Sequence, residues 1–386
     1  MTVAVQLQVG GTAVPVAFYD AIQQLEVEES SDRPGALLLR LPVNRTSAGD
    51  LQFVGDGTFE PMTNLCVTVT PARSKKTQCI FDGYVLSWRL HMDRTSSSST
   101  IDIWAQDASW LMNVDDNVTE WSGLTDGEVA NAIFGSYGFT PAAGNTDDDS
   151  PSHTPDGHTL FQRATDLQFL RGLARRGAKL CRVACTDTPG VRTGYFVTPA
   201  VDGQPAATIS LLDPDTWTVE TLDFDWDVMR PTEADASQVD LTQASDAGTD
   251  VSATDSGLNP LDDRDYPTYL GQSSTLLLTA PADLPELSQR TAAVLADSGF
   301  FARCTGEADA DRIGAILRVG DVVIIEGAGS IQSGAWLVWN VRHSFSPDSW
   351  KMAFTLVRNA MGPAAPGGSI SSLAGSLTGP AGVMSP

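Results

Sequence analysis

The chain has 386 residues, room for two or three domains, and its 42% hydrophobic and 19% charged residues suit packed cores rather than global disorder. Its 48 acidic residues outnumber 24 basic ones, for a formal net charge of -24. That balance excludes a binder of nucleic acid or of anionic lipid that works through a broad basic face.

The opening MTVAVQLQVGGTAVPVAF has no basic run before its apolar stretch, so it reads as a first strand rather than a secretory leader. No stretch approaches the ~18 apolar residues of a membrane helix, so a soluble chain made in the cytoplasm is expected, with no membrane insertion. Five cysteines (Cys66, Cys79, Cys181, Cys185 and Cys304) are few, odd in number and irregularly spaced, which points to reduced thiols.

The first hundred residues alternate with period two. Leu37, Leu39 and Leu41 share one face, as do Leu65, Val67 and Val69. Tyr84, Leu86, Trp88 and Leu90 form an apolar face opposite Ser87, Arg89 and His91, and Ile101, Ile103 and Ala105 follow a Ser-rich turn. Such segments between turn residues predict a sandwich or small barrel over residues 1–108.

An α+β unit is expected over 109–216. Thr125 and Glu128 form a capping box for DGEVANAIFGSYG, and Thr165 with Gln168 opens DLQFLRGLARRG. The second helix carries Arg175 and Arg176 in its last turn and stops at Gly177, which suits a left-handed cap. A polar loop, DDDSPSHTPDGH, separates the two. Strand character returns at Leu222, Phe224, Trp226 and Val228. The acidic, Ser/Thr-rich run 233–267 reads as a long exposed loop, and a third helix is expected from the capping pair Asp283 and Glu286 to Gly299. Strands then run from Arg318 to Arg358, closing a second β unit over 217–362, before an uncharged low-complexity tail, 363–386.

Residues 82–107 match 333–358 at an offset of 251. Leu86, Trp88, Leu90, Ile101, Ile103 and Ala105 fall on Leu337, Trp339, Val341, Met352, Phe354 and Leu356. A one-residue slip would reverse every face, so matched phase through two strands predicts a repeated β unit with Trp88 and Trp339 as core positions.

Enzyme signatures fail. EGAGSIQSG has Gln332 where a dinucleotide fingerprint needs its third glycine, and neither a P-loop nor a G-x-S-x-G elbow occurs. His153 and His158 near Asp147, Asp148, Asp149 and Asp156 match no common zinc spacing and read as a solvated loop. Glu307, Asp309 and Asp311 begin like a calcium loop but lack its glycine and downstream ligands. Cys181 and Cys185 share a strand face without a second pair. No catalytic, cofactor-binding or metal residue is assigned, and no cofactor is expected.

The order of features resembles the phage late-control D and baseplate hub proteins, related to the N-terminal hub part of type VI secretion VgrG spike proteins. The resemblance rests on CIFDGYVLSWRL, DIWAQDASWLM, TLFQRATDLQFLRGLARRGAKLCRV and the closing LRVGDVVIIEGAGSIQSGAWLVWNVRHSF with FTLVRNAMG, across about residues 1–362. It implies an α+β, mainly β chain with two tube-like β-barrel domains flanking the α+β domain, assembled as a trimeric ring. The ring would be pseudo-six-fold toward a tail tube and three-fold toward a spike. The implied role is that of a virion or injection-particle structural protein, not an enzyme. The implied partners are two further copies, a spike protein, the tube or tube-initiator protein, and a baseplate wedge or LysM-like protein. A carbohydrate-binding tail protein and a cell-wall hydrolase are the alternatives.

Overall fold

The computed structural model describes residues 4–71, 75–94, 99–140, 146–147, 149–155, 159–213, 215, 217–239, 248–278, 284–346 and 349–362. The N-terminal strands are β1 (Ala4–Val9), β2 (Thr12–Ala13), β3 (Gln24–Ser30), β4 (Ala36–Pro42), β5 (Asn64–Thr70), β6 (Gln78–His91) and β7 (Thr100–Asp107), with a short helix α1 (Val16–Tyr19) after β2. Alternation places Leu25 and Val27, then Leu37, Leu39 and Leu41, then Ile101 and Ile103 on one buried face.

The middle of the chain holds a hairpin of β8 (Asp116–Trp121) and β9 (Leu160–Thr165), a second of β10 (Leu180–Cys185) and β11 (Arg192–Val197), and helices α2 (Asp126–Ser136) and α3 (Asp166–Arg176). Both expected caps are present. Thr125 and Glu128 close a full capping box on α2, and Thr165 Oγ1 accepts from Gln168 N on α3. The left-handed residue after α3 is Ala178 (φ 50°), one past Gly177. Phe134, Leu170, Leu173 and Phe196 fill a separate core here.

Strands β12 (Ala207–Ser210) and β13 (Thr221–Trp226) begin the C-terminal half. The run expected as a loop is instead structured. β14 (Glu233–Val239), β15 (Gly248–Ala253), β16 (Arg264–Asp265), helix α4 (Tyr266–Leu270) and β17 (Thr275–Leu278) precede helix α5 (Leu284–Gly299). β15, β14 and β17 form a three-stranded sheet that packs on α5. Among its residues with described side chains, the buried ones are Ala234 and Ala236 between polar neighbours, an alternation too weakly apolar to stand out. The cap position Asp283 lies outside the described residues, but α5 ends at Gly299 as expected. Then come β18 (Ala302–Asp309), helix α6 (Ala310–Ile313), β19 (Val322–Glu326), helix α7 (Gly329–Gln332), β20 (Gly334–Phe345), β21 (Trp350–Arg358) and β22 (Ala360–Met361).

One thirteen-stranded sheet joins the two ends of the chain. Leaving aside β2 and the insertion of β14 to β17, the N-terminal half runs β3-β4-β7-β6-β5-β1 and the C-terminal half runs β13-β18-β21-β20-β19-β12. Numbered within each half, both read 2-3-6-5-4-1. The outermost strands differ: β1 lies antiparallel to β5, whereas β12 lies parallel to β19. No closed barrel is present among the described residues, because the halves are linked side by side through β20 and β3.

The internal repeat holds in strand order and in part of its phase. Ile101, Ile103 and Ala105 and their counterparts Met352, Phe354 and Leu356 are all buried. On the two strands before these the offset is 253 throughout, because the turn that follows is two residues shorter in the C-terminal half. Each has a β-bulge, between Val85 and Ser87 in β6 and between Val338 and Asn340 in β20. Val85 opposes Ala105 as Val338 opposes Leu356, an offset of 253 rather than 251. The expected tryptophan pair is therefore corrected: Trp88 is 45% exposed, Trp339 sits in the bulge and is half-buried, and the buried core tryptophan is Trp336. Trp336 packs against Phe224 and under the Arg358 guanidinium, with its indole N–H donated to Gln332 O at 3.0 Å.

His343, on β20 opposite Val27 of β3, is fully buried and accepts from Trp350 Nε1 at 3.2 Å. Burial, helped by the charge of Arg318, pushes its pKa down to about 3. Neutral His343 thus favours the folded chain in full above its unfolded value near 6.5, and that contribution is lost as pH falls from there toward 3.

Two outcomes follow. Trp336→Ala should cost about 3–5 kcal/mol in denaturant unfolding, while Trp88→Ala should cost less than about 1 kcal/mol in the isolated chain; equal losses would overturn the assignment of the core. His343→Gln should flatten the dependence of the urea midpoint on pH between 6.5 and 5 relative to the unmodified protein. Coincident slopes would show that His343 is not the titrating group.

Candidate assembly interface

The joint between the halves shows how sheet edges in this molecule recognise one another. Asn340 to Phe345 of β20 pair antiparallel with Ser30 to Leu25 of β3. Inward-facing Val341 and His343 oppose Glu29 and Val27, while outward-facing Arg342 opposes Glu28. At the bulge, Trp339 O accepts from Ser31 N at 3.0 Å and Trp339 Nε1 donates to Asp32 at 2.8 Å. Asn340 Nδ2 donates to Glu28 at 3.1 Å.

Behind this ladder lies a charged seam. Glu29 pairs with Arg318 at 2.6 Å, and Arg318 also donates to Cys79 O in β6 at 3.0 Å. Burial alone would lower the Arg318 pKa, but Glu29 raises it above the ordinary guanidinium value. Removing one member of so buried a pair costs about 3–5 kcal/mol, because the other charge stays without compensation. Arg182 of β10 approaches the same seam, its pKa lowered by burial, so all three parts of the chain meet there.

Two strand edges lack a strand partner among the described residues. β5 pairs with β6 only as far as Tyr84, which leaves the outer edge of β6 open from Leu86 to His91. β13 pairs with β18 alone and ends the sheet. Both edges carry exposed apolar side chains on the core-facing side: Trp88 beside β6 and Trp226, 54% exposed, on β13. Met92, just past β6, is also exposed. Exposed edges with large apolar residues are an aggregation hazard unless covered, which makes these the candidate assembly surface.

The residues weighed for chemistry have structural roles. His153 is buried, not solvated, and its Nε2 lies 2.8 Å from Asp126 Oδ1, pinning its loop to the start of α2. Asp147 and Asp149 accept from Lys179 Nζ at 3.3 and 2.5 Å. His158, Asp148 and Asp156 lie outside the described residues. Asp309 caps α6 by accepting from Asp311 N and Arg312 N, and Glu307 with Glu220 holds Lys351. Cys181 is buried, its pKa pushed to about 12 by desolvation, and Cys185 donates to Cys79 O at 2.7 Å. Gly327, in the turn before α7, and Gly329, its first residue, carry positive φ. No group of three His, Cys, Asp or Glu suited to a metal occurs among the described residues. None of their helices is long and apolar enough to cross a membrane. Sequence reasoning missed the open edges, because alternation identifies a strand but not which side of it is paired.

No family model matches the chain, and no curated protein matches it. Solved structures do. A tail protein from Neisseria meningitidis MC58 is 14% identical, with 92% of this chain and 96% of that one covered at a TM-score of 0.63. The 43 kDa tail protein of prophage MuSo2 from Shewanella oneidensis is 15% identical, with 93% and 99% covered, also at 0.63. An E. coli component of the type VI secretion system, described as structurally similar to T4 tail proteins gp27 and gp5, is 12% identical, with 93% and 79% covered at 0.51. The chain is mainly β and has the fold of phage tail and type VI secretion proteins.

Proposed function

We propose that this chain is the hub subunit of the baseplate of a contractile phage tail or contractile injection particle, a non-enzymatic homotrimer that adapts a six-fold tail tube to a three-fold spike. The observation that carries the reading is the repeat of one strand order, 2-3-6-5-4-1, in both halves of a single sheet. Two such units per chain in three chains make six similar units around an axis, enough to meet a six-fold tube while the chain boundaries retain three-fold symmetry.

In this reading residues 1–108 and 217–362, the latter joined by β12 (Ala207–Ser210), are the two tube-like units, whose barrels close only on assembly, and the rest of 109–216 is the α+β unit between them. The tail 363–386, outside the described residues, docks on a neighbour. The family type this reading takes is that of the late-control D and baseplate hub proteins, and the partners are the spike, the tube or its initiator, and a wedge or LysM-like baseplate protein. The excess negative charge would discourage DNA or cargo from sticking to the assembly. The competing sugar-binding reading draws on the exposed rings of Trp88, Trp104 and Trp226. Two of these stand on open strand edges, where protein pairing would cover them.

Native mass measurement should give three chains per particle, and purified protein should show no turnover of peptidoglycan or polysaccharide. A monomer at high micromolar concentration would sink the hub reading. So would hydrolysis that survives purification and is lost with one Asp or Glu substitution.

A further inference from the structure

The joint inside the chain is a template for a joint between chains. The equivalences come from pairing alone. Trp88 opposes Ile103 as Val341 opposes Phe354, so beyond the bulges Ser87 to Met92 stand where Asn340 to Phe345 stand. Phe224 opposes Cys304, which opposes Leu356, just as Val27 opposes Leu37, which opposes Ala105. Leu222 to Asp227 therefore stand where Leu25 to Ser30 stand. Inside the chain, the second of these segments docks on the first. The remaining copies, Ser87 to Met92 and Leu222 to Asp227, are the two open edges, and the chain does not join them to each other.

We infer that β13 of one copy adds antiparallel to the outer edge of β6 in the next copy, head to tail, with Trp88 opposite Trp226, Arg89 opposite Asp225, Leu90 opposite Phe224 and His91 opposite Asp223. The chemistry matches on both faces. Inward, Trp88, Leu90 and Met92 meet Trp226, Phe224 and Leu222, extending the apolar face where each copy leaves it open. Outward, basic Arg89 and His91 meet acidic Asp225 and Asp223, repeating the opposition of Arg342 and Glu28 within the chain. Cross-strand apolar and opposite-charge pairs are the units of sheet stabilisation, and a one-residue slip would set Arg89 against apolar positions. The occupant is thus a second copy of this chain. The number of copies that closes the ring rests on the hub reading; the register does not.

Arg89→Cys with Asp225→Cys tests the register, since both side chains are exposed and neither substitution touches the core. Four of the five native cysteines are buried. Mild oxidation should link copies into covalent dimers and trimers in the double variant and in neither single variant. Arg89→Cys with Thr221→Cys, a pair too distant to bridge, should stay unlinked. Arg89→Glu should raise the concentration for half-dissociation by about tenfold or more, and Arg89→Glu with Asp225→Arg should restore it. A trimer by native mass in which the double variant does not link would overturn this edge and leave the hub reading intact. Linked ladders running beyond three copies would uphold the edge and overturn the three-copy ring. Linking by a single variant would mean a two-fold contact and overturn the head-to-tail register, while an unlinked monomer would overturn both.

Discussion

The backbone ladder between β20 and β3 is the constraint on which the rest of the architecture depends. It turns two six-stranded units into one surface, and it does so while β20 keeps its other partners, β21 from Leu337 to Phe345 and β19 over its first residues. A strand can serve two neighbours on one side only if the first stops where the second begins. The bulge at Trp339 lies at that changeover: β19 pairs up to Leu337 and β3 takes over from Asn340. The extra residue increases local twist, which lets the second neighbour approach at a different angle. The buried charges of Glu29 and Arg318 then hold the joint from behind. They add little net stability but make a shifted joint expensive, because a shift would strand one charge.

Much of the local structure was legible. The caps at Thr125 and Thr165 marked two helix starts because side-chain capping is a short-range signal, readable from three or four residues. Alternation found β4, β5, β7 and β21 for the same reason. The bulges were not legible: Leu86 and Trp339 are as ordinary in a regular strand as in a bulge, and the extra residue shows only against the partner strand. Phase read straight through a bulge fails beyond it, and a turn two residues shorter before β21 changes the match from 251 to 253, which is how Trp88 and Trp339 came to look like equivalent core residues. The strands at Ala234 and Ala236 were missed for a different reason, since alanine buries too little surface to register as an apolar alternation.

The site was legible only as a class. Composition and the failed motifs pointed away from catalysis, and among the described residues His153, Asp147, Asp149, Glu307 and Asp309 serve as loop anchors, ion-pair partners or a cap. An assembly surface has no motif of its own. It appears as edges left open and tryptophans left exposed, and both depend on pairing that only the fold reveals.

The two halves share a strand order but not a spacing along the chain. Five residues separate β3 from β4, whereas seventy-five separate the corresponding β13 from β18. Closing the longer connection costs roughly 2 kcal/mol more in chain entropy, before any ordering of the insertion itself is counted. The N-terminal unit is therefore the local, fast-forming one, and it emerges first from the ribosome. The edge of β13 gains its support only when the distant β18 has come back to pair with it. A chain that still lacks β18 therefore has no supported β13 edge.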